Sequence, residues 1–148
     1  MPRLVAWLAR PHVAEWFTAP AAFTDEVEGN LDADWIRFFI VHHQGQPIGF
    51  IQDYDAVNQP VPVFAGEPAG TRGIDQFIGE ADFVDRGHGS AFIRLFVEPL
   101  LAAGAPRIIT DPDPANARAV RAYQKAGFRA RSLVDTPFGQ TLLMVCNA

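Results

Sequence analysis

A glycine-rich segment near the middle of the chain is the first candidate for chemistry. It reads Arg86-Gly87-His88-Gly89-Ser90 and stands at the start of an apolar, helix-like stretch. Glycine lets the backbone turn tightly and approach a ligand closely, and the first N–H groups of a helix have no acceptor within the helix. These groups and the helix dipole together favour a bound anion. The segment therefore predicts a phosphate-binding turn, although an ordinary strand-to-helix connection would have the same composition.

A second candidate segment begins at Asn116 and ends at Gly127 and Phe128. It has the pattern of a short helix with small apolar residues and a single tyrosine, Tyr123. A tyrosine hydroxyl can serve as a general acid, but an amphipathic helix also uses tyrosine for packing. Asn116 also has two interpretations, since it is either a ligand-binding residue or a first-turn residue of that helix. The residues alone leave both alternatives open.

Two aspartates lie at positions in or next to predicted strands, where a carboxylate is unusual and could have a function. Asp75 lies in the apolar, strand-like run around Ile74 and Phe77, although aspartate is depleted in strands and costly to bury unpaired. Asp111 ends the next strand-like run, at the edge where open α/β sheets bind ligands, but it could also be a turn residue before Pro112. Carboxylates attract a cation and can accept its proton. The two aspartates indicate a site for a cationic group.

Composition limits the class of protein. A chain of 148 residues, 49% hydrophobic and 20% charged, predicts a single domain over residues 1–148 with a buried core. Its net charge of −5 argues against nucleic acid as a partner. No apolar run reaches the ~18 residues of a membrane span, and no signal peptide is evident, so the expected location is the cytoplasm. Cys146 is the single cysteine, and the adjacent His42 and His43 would face opposite sides of a strand, so no metal site is expected.

The hydrophobic pattern predicts the elements that position these residues. Helices are expected within residues 3–17, from Thr24 as a cap to about residue 33, and at 89–103 and 114–126. Strands are expected at residues 35–43, 48–54, 72–80, 107–111, 130–134 and 141–145. Pro99 predicts a kink or an early end of its helix, and residues 55–71 form one long loop. Trp7, Trp16 and Trp35 are expected in the core.

The glycine turn and the Asn116–Phe128 segment together resemble the acyl-CoA site of the GNAT N-acetyltransferase superfamily. Arg72-Gly73-Ile74-Asp75-Gln76 and Thr110-Asp111-Pro112-Asp113-Pro114 are similar to its aminoglycoside 6′-N-acetyltransferase branch. The resemblance implies an α/β (α+β) fold with a mixed, mostly antiparallel central sheet flanked by helices. The predicted elements match the family order from its first helix onward, so the family's first strand is apparently missing. The open sheet edge that results would need a cover, either a longer N-terminus or a partner such as a second copy in a homodimer.

The resemblance implies acetyl-CoA as the acyl donor, with no metal. The backbone of residues 86–90 would hold its phosphates, Arg86 would add a contact, and the His88 side chain would point away. The pantetheine arm would pair with the backbone at Ile78 and Gly79, where one N–H polarises the thioester carbonyl. Tyr123 would protonate the departing thiolate. The implied donor-binding residues are Ile78, Gly79, Arg86, Gly87, His88, Gly89, Ser90, Asn116 and Tyr123.

The implied acceptor is a small cationic amine that attacks directly in a ternary complex, since no cysteine or serine constellation suggests an acyl-enzyme. Asp75 would bind the amine and act as the base, and Asp111 would be a second amine ligand. Gln76 and Glu67 are further candidates for the substrate wall. The long loop offers few acidic residues and no tryptophan, which is a thinner lining than in the resembling aminoglycoside enzymes.

Two alternatives stand beside this interpretation. The first is a siderophore-type hydroxylysine N-acyltransferase, a branch with a similar phosphate turn that usually shows a histidine in the Asp75 strand. No histidine occurs here between residues 44 and 87. The second is a non-catalytic acyl-CoA-binding module, which would keep Gly87, Gly89 and Asn116 but could lose Asp75 and Tyr123. Both of these residues are present.

Overall fold

A computed structural model describes residues 1–57, 64 and 66–147 of the chain. The helices are α1 (Pro2–Leu8), α2 (Pro11–Ala14), α3 (Pro20–Gly29), α4 (His88–Ala102) and α5 (Ala117–Lys125), with a 3₁₀ turn at Ala81–Phe83. The strands are β1 (Ile36–His43), β2 (Gln46–Asp55), β3 (Arg72–Ile78), β4 (Arg107–Thr110), β5 (Arg129–Thr136) and β6 (Gly139–Asn147). No helix among the described residues is long and apolar enough to cross a membrane.

The described strands form one sheet in the order β1-β2-β3-β4-β6-β5. All neighbours in this sheet are antiparallel except β3 and β4, which run parallel. The expected mixed, mostly antiparallel sheet is therefore confirmed. β1 forms one edge, and its outer side has no strand partner within the described part of the chain.

Helices cover both faces of the sheet because the side chains of each strand alternate between the faces. On one face, Ile51 and Ile74 pack against the α4 residues Ile93 and Val97 and against Tyr123 of α5. On the other face, the apolar side chains of α1, α2 and α3 cover β2 and β3. That second cluster consists of Leu4, Trp7, Leu8, Val13, Val27, Phe50 and Phe77.

β3 and β4 separate soon after they meet, and this separation shapes the site. Their parallel pairing covers only Arg72 with Ile108 and Gly73 with Ile109. One further contact follows, in which Thr110 Oγ1 donates to the carbonyl of Ile74 at 3.0 Å. β3 nevertheless remains paired with β2 as far as Ile78. A wedge-shaped gap therefore opens between β3 and β4 on the side of their carboxyl ends.

Two helices begin several residues away from the positions expected from the sequence. The third helix begins at Pro20, a residue suited to a first helical turn, and Thr24 lies inside it with its hydroxyl bonded to the carbonyl of Ala21. α5 begins at Ala117 rather than residue 114, because the Asn116 side chain caps it by accepting from the N–H of Ala119. α4 runs through Pro99 to Ala102, close to the predicted end at residue 103, so of the two expected effects of Pro99 the early end does not occur. The expected loop lies between β2 and β3, and its residues 58–63 and 65 are outside the described part.

Candidate active site

Four neighbouring cavities follow one another along the gap and make one groove. The basic pocket is lined by Ile78, Asp85, Gly87, Gly89, Ser90, Arg118, Arg121, Ala122 and Lys125. The central pocket shares Ile78, Gly89, Arg118 and Ala122 with the basic pocket. It shares Gln76, Asn116 and Ala119 with a third pocket, the tyrosine pocket, which is lined by Tyr123. The tyrosine pocket in turn shares Phe17, Asp75 and Asp111 with the acidic pocket. The groove is thus basic at one end and acidic at the other.

The glycine turn forms the floor of the basic pocket. Gly87 caps α4 with a φ of 81°, a left-handed conformation that favours glycine, and Asp85 has a φ of 61°. The first helical bond of α4 runs from Ala91 N–H to the carbonyl of Gly87. The N–H groups of residues 88–90 therefore have no acceptor within the helix. A Cβ at Gly87 would meet nothing within 4 Å, so the space above the turn is open to a ligand.

Three cationic side chains of α5 face the same pocket. Arg118, Arg121 and Lys125 stand at helical spacings of three and four residues, which places them on one face of the helix. Arg118 also forms a forked ion pair with Asp85, at 2.9 and 3.2 Å, but both side chains are more than half exposed, so the pair is weak. Sequence reasoning missed these cations, although their spacing beside the glycine turn was a usable signal.

The basic pocket has the donor set that a pyrophosphate-type anion requires. It combines unpaired helix N–H groups, a helix N-terminus and three cations around a cavity of about 150 Å³. Of the two side chains about which the sequence made a prediction here, Arg86 departs from it and His88 agrees with it. The side chain of Arg86 is exposed and is not among the residues that line the pocket. The His88 ring turns away, as expected, and packs on His43 at 4.6 Å and on Phe83 at 5.2 Å between ring centroids.

The peptide that ends β3 is held from two sides. Gly79 N–H donates to the carbonyl of Ile48 at 2.8 Å, while the carbonyl of Ile78 lies 2.8 Å from Nε2 of His12. In a strand, the N–H and C=O of one residue point to the same side, and those of the next residue to the other side. The Ile78 N–H therefore faces the groove rather than β2. No described residue accepts a hydrogen bond from it.

Gly79 has a different place from the one expected of it. Its N–H is used by Ile48, its carbonyl accepts from Nη1 of Arg10 at 3.2 Å, and it does not line the central pocket. A Cβ at this position would lie 2.1 Å from the Trp7 ring. Glycine is thus required at residue 79 because the Trp7 side chain occupies that space. Of Ile78 and Gly79, Ile78 alone offers a polar group to the groove.

The tyrosine pocket lies between the basic and the acidic ends. Tyr123 is buried at 3% exposure and packs against Phe128. Burial raises the pKa of Tyr123, while hydrogen bonds with the side chains of Thr110 and Gln76 oppose this rise. The phenol is therefore protonated throughout the neutral pH range and can act there as a donor. Asn116 lines the same pocket, and because its Oδ1 caps α5, its Nδ2 is the group left for a ligand.

Asp75 and Asp111 meet on the acidic side, as the sequence predicted. Burial raises the pKa of Asp75 to about 6, against a hydrogen bond from Gln52 Nε2 that lowers it. Burial raises the pKa of Asp111 to about 7, and the negative charge of Asp75 adds to this rise. Two carboxylates that disfavour each other's ionisation share their protons near neutral pH. A cation placed between them would relieve that repulsion.

The acidic pocket contains a third carboxylate, Glu26, which sequence reasoning did not assign to the site. Glu26 of α3 lines it and contributes to the raised pKa of Asp75, and the buried Tyr54 lines it with no hydrogen-bond partner for its hydroxyl among the described residues. Glu26 was overlooked because an acidic residue in a helix is usually solvated. Trp16 and Trp35, which were expected in the core, are half-buried and line pockets, whereas Trp7 is buried. The aromatic wall consists of Phe17, Phe23, Trp35, Tyr54 and Phe64.

Glu67 is not brought to the groove. Its buried carboxylate forms ion pairs with Arg107 of β4, at 3.4 Å, and with Arg131 of β5. These pairs compensate its charge and fasten the end of the long loop to the sheet. Gln76, in contrast, lines the central and tyrosine pockets as expected. Among the described residues no group of three histidine, cysteine, aspartate or glutamate side chains could hold a metal ion.

Comparisons with known proteins agree along nearly the whole chain. Residues 1–136 match the family model described as an acetyltransferase (GNAT) domain. The aminoglycoside N(6′)-acetyltransferase type 1 of Klebsiella pneumoniae is 35% identical over 151 aligned positions, which cover 96% of this chain and 75% of that relative. The kanamycin resistance protein of Rhizobium radiobacter is 43% identical over 77 positions, which cover 51% of this chain and 71% of that relative.

Solved structures give the same result. A structure of AAC(6′)-Ib in complex with parmomycin and acetyl-CoA matches with a TM-score of 0.82 and 33% identity, covering 99% of this chain and 86% of that one. A structure of the same enzyme with coenzyme A and kanamycin matches with a TM-score of 0.82 and 34% identity, covering 99% and 88%. Because the family model covers residues 1–136 and the Klebsiella pneumoniae relative is 35% identical over 96% of this chain, the chain belongs to the GNAT acetyltransferase family.

Proposed function

We propose that this acetyltransferase moves the acetyl group of acetyl-CoA to a primary amine of an aminoglycoside-class substrate. One observation carries the proposal: a single groove joins a basic phosphate-type pocket to an acidic pocket, and Tyr123 lies between them. The basic end suits the diphosphate of the donor, and the acidic end suits a polycationic acceptor. When bound, acetyl-CoA supplies an acetyl group activated as a thioester.

The acidic end prepares the amine for attack. An ammonium group is not a nucleophile, so a base must remove its proton before nitrogen can attack a carbonyl. Asp75 and Asp111, with pKa values of about 6 and about 7, are suited to accept a proton at neutral pH. We assign Asp75 as the base, because the Gln52 bond holds its carboxylate in place. Asp111 then orients the amine and shares the proton.

The other end of the reaction needs donors rather than acceptors. The Ile78 N–H, which points into the groove, would polarise the acetyl carbonyl as an oxyanion-hole donor. Tyr123 would donate to the sulfur as it becomes a thiolate, which its raised pKa permits because the phenol keeps its proton. The α4 N-terminus, Arg121 and Lys125 would hold the phosphates. Asn116 Nδ2 would hydrogen-bond the donor between these points.

The acceptor class rests on the acidic pocket and on the relatives. AAC(6′)-Ib, a third identical to this chain, has been solved with parmomycin, ribostamycin and kanamycin. Here the pocket of about 320 Å³ brings Asp75, Asp111 and Glu26 together beside aromatic rings. Several carboxylates spaced around one cavity suit a molecule with several ammonium groups. The aromatic rings suit the apolar faces of sugar rings.

A thiol-release assay with acetyl-CoA tests the proposal. Kanamycin, parmomycin, spermidine and a hydroxylysine analogue serve as acceptors, and mass spectrometry counts the acetyl groups added. We expect turnover of the aminoglycosides, and a loss of about 10²–10⁴-fold in kcat/KM for Asp75→Asn. Asp25→Asn is the matched control, because Asp25 is exposed on α3 and lines none of the four pockets. Turnover of spermidine alone would contradict the acceptor class, and donor binding without any turnover would favour the binding-module alternative.

Assembly and location are part of the same proposal. We propose one domain that pairs as a homodimer through the exposed outer edge of β1, since an unpaired strand edge is a template for another chain. Light scattering of the purified protein measures the mass, and a monomer at all concentrations would contradict the dimer. Cell fractionation tests the expected cytoplasmic location.

A further inference from the structure

Polar side chains of the N-terminal segment form hydrogen bonds with the residues at the end of β3. His12 of α2 places Nε2 at 2.8 Å from the carbonyl oxygen of Ile78. Arg10 reaches the next carbonyl, that of Gly79, at 3.2 Å, and also the carboxylate of Glu80 at 2.7 Å. The indole of Trp7 donates to the same carboxylate at 2.9 Å. Three residues of one short segment thus bond three consecutive residues at the strand exit.

The hydrogen bond from His12 determines the tautomer of its ring and restrains the backbone at Ile78. A backbone carbonyl only accepts, so Nε2 must carry the hydrogen and donate it. The peptide that joins Ile78 to Gly79 is then hydrogen-bonded at both of its polar groups. Its carbonyl, from Ile78, accepts from His12, and its N–H, from Gly79, donates to the carbonyl of Ile48 at 2.8 Å. The Ile78 N–H belongs to the preceding peptide, but it lies on the same side of the strand as the Ile78 carbonyl. Holding that carbonyl therefore fixes the backbone at Ile78 and keeps its N–H directed into the groove. His12 also lines the central pocket beside Gln76 and Ile78, so it lies next to the site where the acyl group would sit.

We propose that His12 is a positioning residue for acyl transfer, which acts by holding the Ile78–Gly79 peptide so that the Ile78 N–H meets the acetyl carbonyl. The inference rests on the proposed function and adds a residue to it. The His12 hydrogen bond also determines which backbone groups of β3 remain free to bind a ligand. Because the Ile78 carbonyl is already bonded by His12, an amide of the donor arm has to pair with other groups along β3.

Paired variants separate the hydrogen bond from the bulk of the ring. His12→Leu removes the donor at similar volume, and His12→Gln places an amide donor near the position of Nε2. We expect His12→Leu to lower kcat by about 10- to 100-fold, less than the ~10²–10³-fold typical of deleting an oxyanion donor itself. The Kd for coenzyme A should change by less than about threefold, since the phosphate end is untouched. His12→Gln should recover most of the lost kcat, because it restores the donor.

Controls make each outcome decisive. His42→Leu removes an exposed histidine whose Nδ1 lies 3.2 Å from the carbonyl oxygen of Ile40 in its own strand, and it should behave as the parent does. A kcat for His12→Leu equal to that of the parent would overturn the inference, and so would equal damage from His12→Gln and His12→Leu. If His12→Leu does not fold, the kcat of His12→Gln is compared with that of the parent, and the ¹⁵N resonances of His12 in the parent test the hydrogen bond on which the inference depends. The Nε2–H tautomer is expected, and the Nδ1–H tautomer would overturn it. A parent that acetylates no amine would instead contradict the proposed function, and the tautomer would still report on His12.

Discussion

Gln52 Nε2 lies 2.9 Å from Asp75 Oδ2, and the two residues stand directly opposite each other on β2 and β3. The amide donates to the carboxylate and favours its charged form, which partly offsets the effect of burial on the pKa of Asp75. This single bond therefore ties the proton affinity of the proposed base to the pairing register of two neighbouring strands.

Replacing Gln52 with leucine should raise the pKa of Asp75 above its value of about 6. A hydrogen bond to a charged group contributes on the order of 1.5 kcal/mol, so the expected rise is about one pH unit. The acidic limb of the kcat/KM profile against pH should move upward by that amount. Gln46→Leu, at an exposed position of the same strand, should leave the limb in place. An unmoved limb in Gln52→Leu would mean that Asp75 does not set the profile.

Asp75→Asn should make the protein more stable at pH 8 while it removes activity. The folded state holds the pKa of Asp75 at about 6, above the ordinary value of 3.8, so the unfolded chain loses this proton first. The parent therefore loses stability as pH rises from about 4 to about 7, whereas asparagine has no charge to bury. The expected gain at pH 8 is on the order of 1–3 kcal/mol in the free energy of unfolding. Urea unfolding at pH 4 and pH 8 measures it, and an equal effect at both pH values would contradict the burial of a costly charge.

Arg121→Gln should weaken acetyl-CoA binding without changing the amine site. Removing one cation from the basic pocket should raise the KM for acetyl-CoA by about 3- to 10-fold, because a charge-assisted phosphate contact in an exposed pocket is worth roughly 1 kcal/mol. The loss should be smaller at high salt, where the parent also binds less well. Arg129→Gln is the control, since Arg129 is exposed on β5 and lines none of the four pockets. Equal KM values for the two variants would remove Arg121 from the phosphate site.

Tyr123→Phe should lower kcat by about 10²-fold and leave the Kd for coenzyme A nearly unchanged. Phenylalanine keeps the ring contact with Phe128, whose centroid is 5.3 Å away, so the packing of α5 is preserved. Thermal unfolding checks this point, since the melting temperature should stay close to that of the parent. A normal kcat in a normally folded Tyr123→Phe variant would reduce Tyr123 to a core residue.

Glu26→Gln should weaken the binding of polycationic acceptors and leave the binding of a monoamine unchanged. Glu26 is exposed at the acidic pocket and contributes to the pKa rises of Asp75 and Tyr54, so its charge acts on the same cavity. For acceptors with several ammonium groups, its loss should raise KM by about 3- to 10-fold with little effect on kcat, because the charge acts on binding. A simple monoamine should show no change. Glu28→Gln on the same helix is the matched control, and an equal rise there would indicate a general effect of net charge.

Local signals were enough to find the sheet, the glycine turn and the pair of aspartates. Asp75 was found because a carboxylate in an apolar strand is unusual, and the structure places it in the groove. Glu67 was misjudged because its partners Arg107 and Arg131 lie 40 and 64 residues further along, and no local pattern reports such pairs. Gly79 was assigned to the donor, whereas the Trp7 ring, from the N-terminal helix, is what requires a glycine there. The sequence carries no local signal for His12, because the carbonyl that its ring contacts lies 66 residues away.

The two ends of the groove come from different stretches of the chain. Apart from Asp75 and Asp111, every described residue that lines the acidic pocket lies between Phe17 and Phe64. The basic pocket draws its lining entirely from Ile78–Lys125. Exchange of residues 17–64 between related enzymes would therefore replace most of the acceptor wall and leave the lining of the basic pocket unchanged. The fold in this way allows the range of amines to diverge by substitution or recombination within residues 17–64, while the phosphate-binding end stays the same.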